Sequence, residues 1–350
     1  MIRRRALLFA ATGSALVAAT GNALVAATAK AQPVQWYATG TKRRDIRFAG
    51  AAGATLAGTL LLPLVSEIQR VPGVVLIAGS GPTDRDGNNP LIPAHVDTLK
   101  LIAERLAAAG IATLRYDKRG IGQSTGRPTG SQDAEERFFL WHHFVADAQA
   151  AHAELLRQDE IKPYATAFLG HSEGGLLALA ATDAMGARRP FGLVLASTPG
   201  RRLGDIVREQ IGRTAPGFVA AADRIITAIL ETGHVPASAT GELRLIFPSY
   251  AGPFLQAAFA FDPAQTLARL DNACLLVHGG ADSQIVPLGD IQPLLDVLGK
   301  RSAPGEALVV PAVSHNLKTV YGPTDPGFTG PLAPAVGDKL AEWLAHLLGA

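Results

Sequence analysis

The sequence predicts an α/β fold: a mostly parallel sheet with helices on both faces and a helical insertion late in the chain. Three observations carry this. Short, almost continuous apolar runs recur along the chain, as strands buried on both faces require. Longer helical stretches separate them, so that each crossover can return to a parallel neighbour. One connection, between Ala196 and Ala273, is far longer than the others and holds helix-like pieces without a strong strand.

At the amino end, Met1-Ile2-Arg3-Arg4-Arg5 is basic, Ala6 to Thr28 is apolar and uncharged, and Ala29-Lys30-Ala31 fits a small-x-small cleavage site before Gln32. This is the composition of a secretory signal over residues 1–31. It implies a periplasmic or secreted protein with no stable membrane insertion after cleavage. The adjacent arginines leave a twin-arginine route open beside the general one. Residues 32–350 then form one domain.

Asp45-Ile46-Arg47-Phe48 and Ala54 to Pro63 read as an opening antiparallel hairpin about the turn Ala49-Gly50-Ala51-Ala52-Gly53. Strands follow at Gly73 to Ala78, Ile111 to Tyr116, Ala165 to Leu169, Phe191 to Ala196, Ala273 to His278 and Ala307 to Pro311. Helices are expected over Val96 to Gly110, Phe138 to Arg157, Gly175 to Met185 and Val336 to Leu348. Within residues 199–270, Leu203 to Ile211 and Phe218 to Glu231 are helix-like, and prolines at 216, 236, 248, 253 and 263 punctuate the segment. An insertion here would sit above the carboxyl ends of the strands as a cap.

The chain is 48% hydrophobic and 18% charged, which supports a large core and argues against disorder. Without Arg3, Arg4, Arg5 and Lys30, 28 basic residues face 30 acidic ones. A nearly neutral mature chain has no basic stripe to suggest nucleic acid as a partner. Cys274 is the single cysteine, so no intramolecular disulfide can form. It falls in an expected strand, where a thiol is buried and inert.

Gly170-His171-Ser172-Glu173-Gly174 lies between an expected strand and an expected helix. G-x-S-x-G in that context is a nucleophile elbow, a turn so tight that the serine Oγ stands clear at the strand's carboxyl end. A serine hydroxyl needs a base to take its proton and a carboxylate to orient the base. In the chain order Ser, acid, His, Asp282 follows one strand in Leu275-Leu276-Val277-His278-Gly279-Gly280-Ala281-Asp282, and His315 follows the last in Val309-Val310-Pro311-Ala312-Val313-Ser314-His315. Asp290 is the rival acid but lies further from its strand; His278 is still within its strand and suits a structural bond. A developing oxyanion needs fixed donors: the Glu173 N–H, and an N–H of Ser80 or Gly81 in the loop Gly79-Ser80-Gly81-Pro82, between which the sequence does not choose. The charges of Asp84-Arg85-Asp86 and Asp117-Lys118-Arg119 are expected to pair across neighbouring strand ends and hold that loop. Gly120-Ile121-Gly122 fails as a dinucleotide fingerprint because Thr125 stands where a third glycine belongs. No metal-ligand spacing or P-loop is present, so no cofactor is expected.

From Asp45 onward these pieces resemble the α/β-hydrolase superfamily, and more narrowly bacterial esterases of the serine aminopeptidase and dipeptidyl-peptidase-like group. The matching segments are residues 79–87, 117–124, 170–175, 279–282 and 314–315. The resemblance implies a serine hydrolase acting on a small-molecule ester. Short peptides or thioesters are alternative substrates, with Glu173 or cap acids holding a peptide amine; a non-catalytic binding protein on the same fold is a further alternative.

Overall fold

The computed structural model describes residues 40–64, 70–322 and 324–350; the leader segment 1–31 lies outside them. Eight strands, β1 (Thr41–Ala49), β2 (Thr55–Pro63), β3 (Val71–Ile77), β4 (Ala112–Tyr116), β5 (Ile161–His171), β6 (Gly192–Ala196), β7 (Ala273–Gly279) and β8 (Gly305–Val310), form one sheet in the order β1-β2-β4-β3-β5-β6-β7-β8. Only β2 runs against its two neighbours; every pairing from β4 to β8 is parallel. The fold class read from the sequence is the one observed.

Helices α1 (Thr98–Ala108), α2 (Gln132–Phe138), α3 (Trp141–Leu156), α4 (Glu173–Met185), α5 (Leu203–Thr214), α6 (Val219–Thr232), α7 (Leu243–Ile246), α8 (Gly252–Ala260), α9 (Pro263–Arg269), α10 (Pro287–Asp290), α11 (Gln292–Lys300) and α12 (Pro334–Leu348) complete the chain. The apolar runs of the central strands divide cleanly between the two faces, because successive strand side chains point opposite ways. Val75, Ile77, Leu193, Leu195 and Leu276 pack with α3, α4 and α11; Val74, Leu76, Val194, Leu275 and Val277 pack with α1 and α12. This two-sided burial is why those strands read as continuous apolar runs. The edge strands differ. β1 carries Lys42, Arg43, Arg44 and Arg47 and β8 is largely exposed, and charge on an open edge discourages pairing with another chain.

One expectation needs correction. The helix foreseen over Phe138 to Arg157 starts later, as α3 at Trp141, because Leu140 takes an extended backbone conformation, and a separate helix not foreseen, α2, ends at Phe138. Between β6 and β7 the chain makes five helices, α5 to α9. Ile211, Ala222, Ile225, Ile226, Ile229, Phe247 and Phe259 give this region a small core of its own. It is seated on the main body through aromatic rings: Phe254 lies 5.5 Å from Trp141 and 5.0 Å from Phe144, and Tyr250 lies 4.8 Å from Phe139.

Candidate active site

β5 ends at His171, and α4 begins at Glu173, so Ser172 is the whole turn between them. Its φ of 55° and ψ of −124° lie outside the regions an L-residue favours, a strain that costs on the order of 1–3 kcal/mol. The flanking glycines permit it by close approach. A Cβ on Gly170 would meet the Gly174 carbonyl oxygen at 2.2 Å, and one on Gly174 would meet the Ile77 oxygen at 2.2 Å. Any side chain there drives α4 off the sheet. The Ser172 N–H donates to Ala196 O at 2.8 Å, which ties the elbow to β6. Of the six non-glycine residues with positive φ among the described residues, Ser172, Ser197, Ala312 and Leu317 all follow β5, β6 or β8. Backbone strain thus gathers at one end of the sheet.

Asp282 and His315 come together at that end. The His315 Nδ1–H donates to Asp282 Oδ2 at 2.8 Å. Asp282 Oδ1 accepts from the N–H groups of Gln284, at 2.8 Å, and Ile285, at 2.9 Å. Burial pushes the Asp282 carboxyl up, but the neighbouring His315 and His278 and these hydrogen bonds outweigh it and hold it below the ordinary value. A carboxylate on Nδ1 fixes the imidazole tautomer and leaves Nε2 as an acceptor. Gly279 permits the meeting of the two loops, since a Cβ there would lie 2.3 Å from Val313 O. His171 completes the join: its Nε2–H donates to the His315 carbonyl at 2.9 Å. Burial and the adjacent His315 lower the His171 pKa to about 4, so this ring stays neutral and works as a tie.

The loop after β3 closes the third side. Gly79 abuts the elbow, since a Cβ on it would stand 3.2 Å from Ser172 Cβ. The loop is held by charge. Arg85 donates to Asp117 Oδ2 at 2.7 Å, the Arg85 N–H donates to Asp117 Oδ1 at 2.9 Å, and Arg115 Nε donates to Asp86 at 2.7 Å. Lys118, buried, donates from Nζ to Gly79 O and lies 3.7 Å from Glu173 Oε1. The pairing expected across strand ends is therefore present.

Of the residues expected from sequence, Ser172, Asp282 and His315 lie on the loops after β5, β7 and β8, with Asp282 bonded to His315 and the His315 loop bonded to the elbow. Ser80 and Gly81 lie exposed on the β3 loop, and Glu173 opens α4. One rival falls away and one reading changes. The rival acid Asp290 is engaged elsewhere, by Arg201 Nη1 at 2.9 Å and the Val286 N–H at 2.7 Å. Glu173 points its buried carboxylate at Lys118 rather than outward, so it does not offer a subsite for a substrate amine. His278 makes the structural bond expected of it, donating to Ile285 O at 2.8 Å, and what the sequence reading missed is that it also stands 3.3 Å from Asp282 Oδ2. The i, i+4 spacing of His278 and Asp282 was the available signal. The insertion also reaches this site, with Gln210 of α5 donating to Gln284 O at 2.9 Å beside Asp282.

The family described as serine aminopeptidase, S33, matches residues 93–245, a stretch that contains the elbow but neither Asp282 nor His315. Esterase EstD of Thermotoga maritima is 27% identical over 281 residues, 78% of this chain and 62% of that protein, so the chain spans less than two thirds of the curated relative it matches. Est1E of Butyrivibrio proteoclasticus, solved with ferulic acid, aligns with a TM-score of 0.56 at 17% identity, covering 87% of this chain and 100% of that one. Acetyl xylan esterase 1 of Thermoanaerobacterium aligns at 0.54 and 17%, covering 88% and 84%. A puromycin-hydrolyzing peptidase of Mycobacterium tuberculosis aligns at 0.54 and 20%, covering 88% and 40%. At these identities the structural likeness is one of fold. Strand order, the elbow after β5 and these likenesses agree on the fold: the chain has the α/β-hydrolase fold and is similar to bacterial esterases that share it.

Proposed function

We propose that this protein is a serine hydrolase that cleaves carboxylic esters through an acyl-enzyme. The observation that carries the reading is the buried 2.8 Å bond between His315 and Asp282 on loops packed against the strained Ser172 elbow. In the proposed reaction His315 Nε2 takes the Ser172 proton as Oγ attacks the ester carbonyl. The tetrahedral oxyanion is received by the Glu173 N–H and by an N–H of the Ser80-Gly81 loop, each such donor worth about 10²–10³-fold in rate. The imidazolium, held by Asp282, returns the proton to the departing alcohol. Water then repeats the sequence on the acyl-enzyme, releasing the acid and restoring Ser172, and no cofactor enters. The five helices between β6 and β7 would form the cap that selects the acyl or alcohol group. The leader composition of residues 1–31 supports export of the enzyme.

The ester reading is favoured over aminopeptidase activity because Glu173, the acid nearest the nucleophile in sequence, faces Lys118. The test compares the purified protein and Ser172→Ala on a short-chain nitrophenyl ester. Ser172→Ala should lose about 10⁶-fold in kcat and all labelling by a fluorophosphonate. Equal turnover by the two proteins removes Ser172 as nucleophile, and aminoacyl-arylamide hydrolysis exceeding ester hydrolysis turns the assignment to a peptidase.

A further inference from the structure

Lys118 is not used by the mechanism above, yet it touches both halves of the site that mechanism needs for the oxyanion. It lies two residues beyond β4, with its side chain 4% exposed. Lysines are almost never so buried without a partner, and replacing a buried ion pair by apolar groups is often neutral for stability. Stability alone therefore gives little reason for a lysine here.

The position of its Nζ gives a better one. One contact is the carbonyl oxygen of Gly79, and the other is the carboxylate of Glu173. The Gly79 carbonyl and the Ser80 N–H belong to one peptide unit. In a trans peptide these two groups point in opposite directions, and no peptide bond among the described residues is cis. Holding Gly79 O inward on Lys118 therefore turns the Ser80 N–H outward. Gly79 itself is packed against Ser172, since a Cβ on it would stand 3.2 Å from Ser172 Cβ, so this peptide unit lies beside the nucleophile. Among the described residues neither the Ser80 nor the Gly81 N–H donates to a protein acceptor. Only Ser80 has its donor coupled to the lysine. A cation on the carbonyl also polarises the shared peptide and strengthens its N–H as a donor. On the other side, the Glu173 carboxylate belongs to the residue whose own N–H is the first proposed donor.

We propose that Lys118 is a positioning residue of the oxyanion hole, pinning the Gly79 carbonyl so that the Ser80 N–H becomes the second donor and linking that donor to Glu173. The inference rests on the esterase reading. Lys118 does not touch the substrate and makes no bond in the reaction. Burial lowers its pKa, and the nearby Glu173 opposes this only in part.

Labelling of the wild-type protein by a fluorophosphonate comes first, because its absence defeats the esterase reading and leaves this inference without a subject. The informative variant is then Lys118→Met combined with Glu173→Gln, which removes both members of the pair and strands neither charge. Its melting temperature should stay close to that of the wild type. Its kcat on a nitrophenyl ester should fall by about 10²-fold or more, the scale of one lost oxyanion donor, with KM within a factor of two. Affinity for a boronic acid that mimics the tetrahedral intermediate should fall by the same factor as kcat/KM. Ser80→Pro, which deletes the N–H itself, should show the same pattern, and adding it to the double variant should cost nothing further. Wild-type kcat in the double variant or in Ser80→Pro overturns the proposal, as does a loss confined to KM or a strictly additive combination. Failure of the double variant to fold makes the lysine structural and overturns it as well.

Discussion

The two sides of the site are held by different means. The β3 loop is fixed by long basic side chains: Arg85 on Asp117, Arg115 on Asp86 and Lys118 between Gly79 and Glu173. The loops after β7 and β8 are fixed mostly by main-chain groups: the Gln284 and Ile285 N–H groups on Asp282, Ile285 O on His278, and His315 O on His171. The difference suits the two tasks of the proposed reaction. Donors that receive a transient negative charge work best when nothing near them moves or titrates. A base must gain and lose a proton in every cycle, and neutral dipoles tolerate both of its states.

That contrast can be broken from either side. The largest expected effect is on activity. Asp282→Asn leaves an acceptor for the main-chain donors but no anion for the imidazolium, and should reduce kcat on the order of 10⁴-fold with the melting temperature little changed. Steady-state kinetics beside a melting curve check it. Comparable losses of activity and stability would mean that the acid side is a scaffold too. On the other side the expected loss is in stability. Arg85→Met strands Asp117, whose side chain is 4% exposed, and breaking such a pair costs about 3–5 kcal/mol. Denaturant unfolding should register this, while the folded fraction keeps far more activity than Asp282→Asn. The smallest effect is a slope. The His171 pKa is about 4 in the folded protein, mainly through burial, against an ordinary 6.5. The unfolded chain binds more protons between these values, so stability rises with pH across that window and is lost as pH falls from 6.5 toward 4. His171→Gln keeps an N–H for His315 O and removes the titration, so melting temperature against pH should flatten there. Flattening is partial, because the buried His152 also falls to about 4 and titrates alike. An unchanged slope would show that the His171 tie is not what couples this side to pH.

Much of this was legible in the sequence, for identifiable reasons. The central strands were visible because both faces are buried, which leaves no polar alternation to confuse the reading. The elbow was visible because its glycines are required by contacts with backbone, which no other residue meets. Asp282 and His315 could be found from their places after strands. What lay hidden depends on where long side chains turn. Nothing in Asp117-Lys118-Arg119 says that the lysine goes inward to a carbonyl 39 residues earlier in the chain, since the general rule sends lysines to solvent. Glu173 was misread for the same reason, because its partner comes from another strand end. The break at Leu140 escaped because no proline or glycine marks it.

The single cysteine has a practical consequence. Cys274 lies within β7, fully buried, and burial pushes its thiol up to about 12. A thiol with so little thiolate at neutral pH reacts slowly with maleimides and iodoacetamides. A cysteine introduced on the surface would then be the one reactive thiol among the described residues, with no need to alter the native one. Spectroscopic labels could be placed as a pair, one on the exposed edge of β1 and one on α6. Distances between them would report directly whether the helices between β6 and β7 swing during turnover.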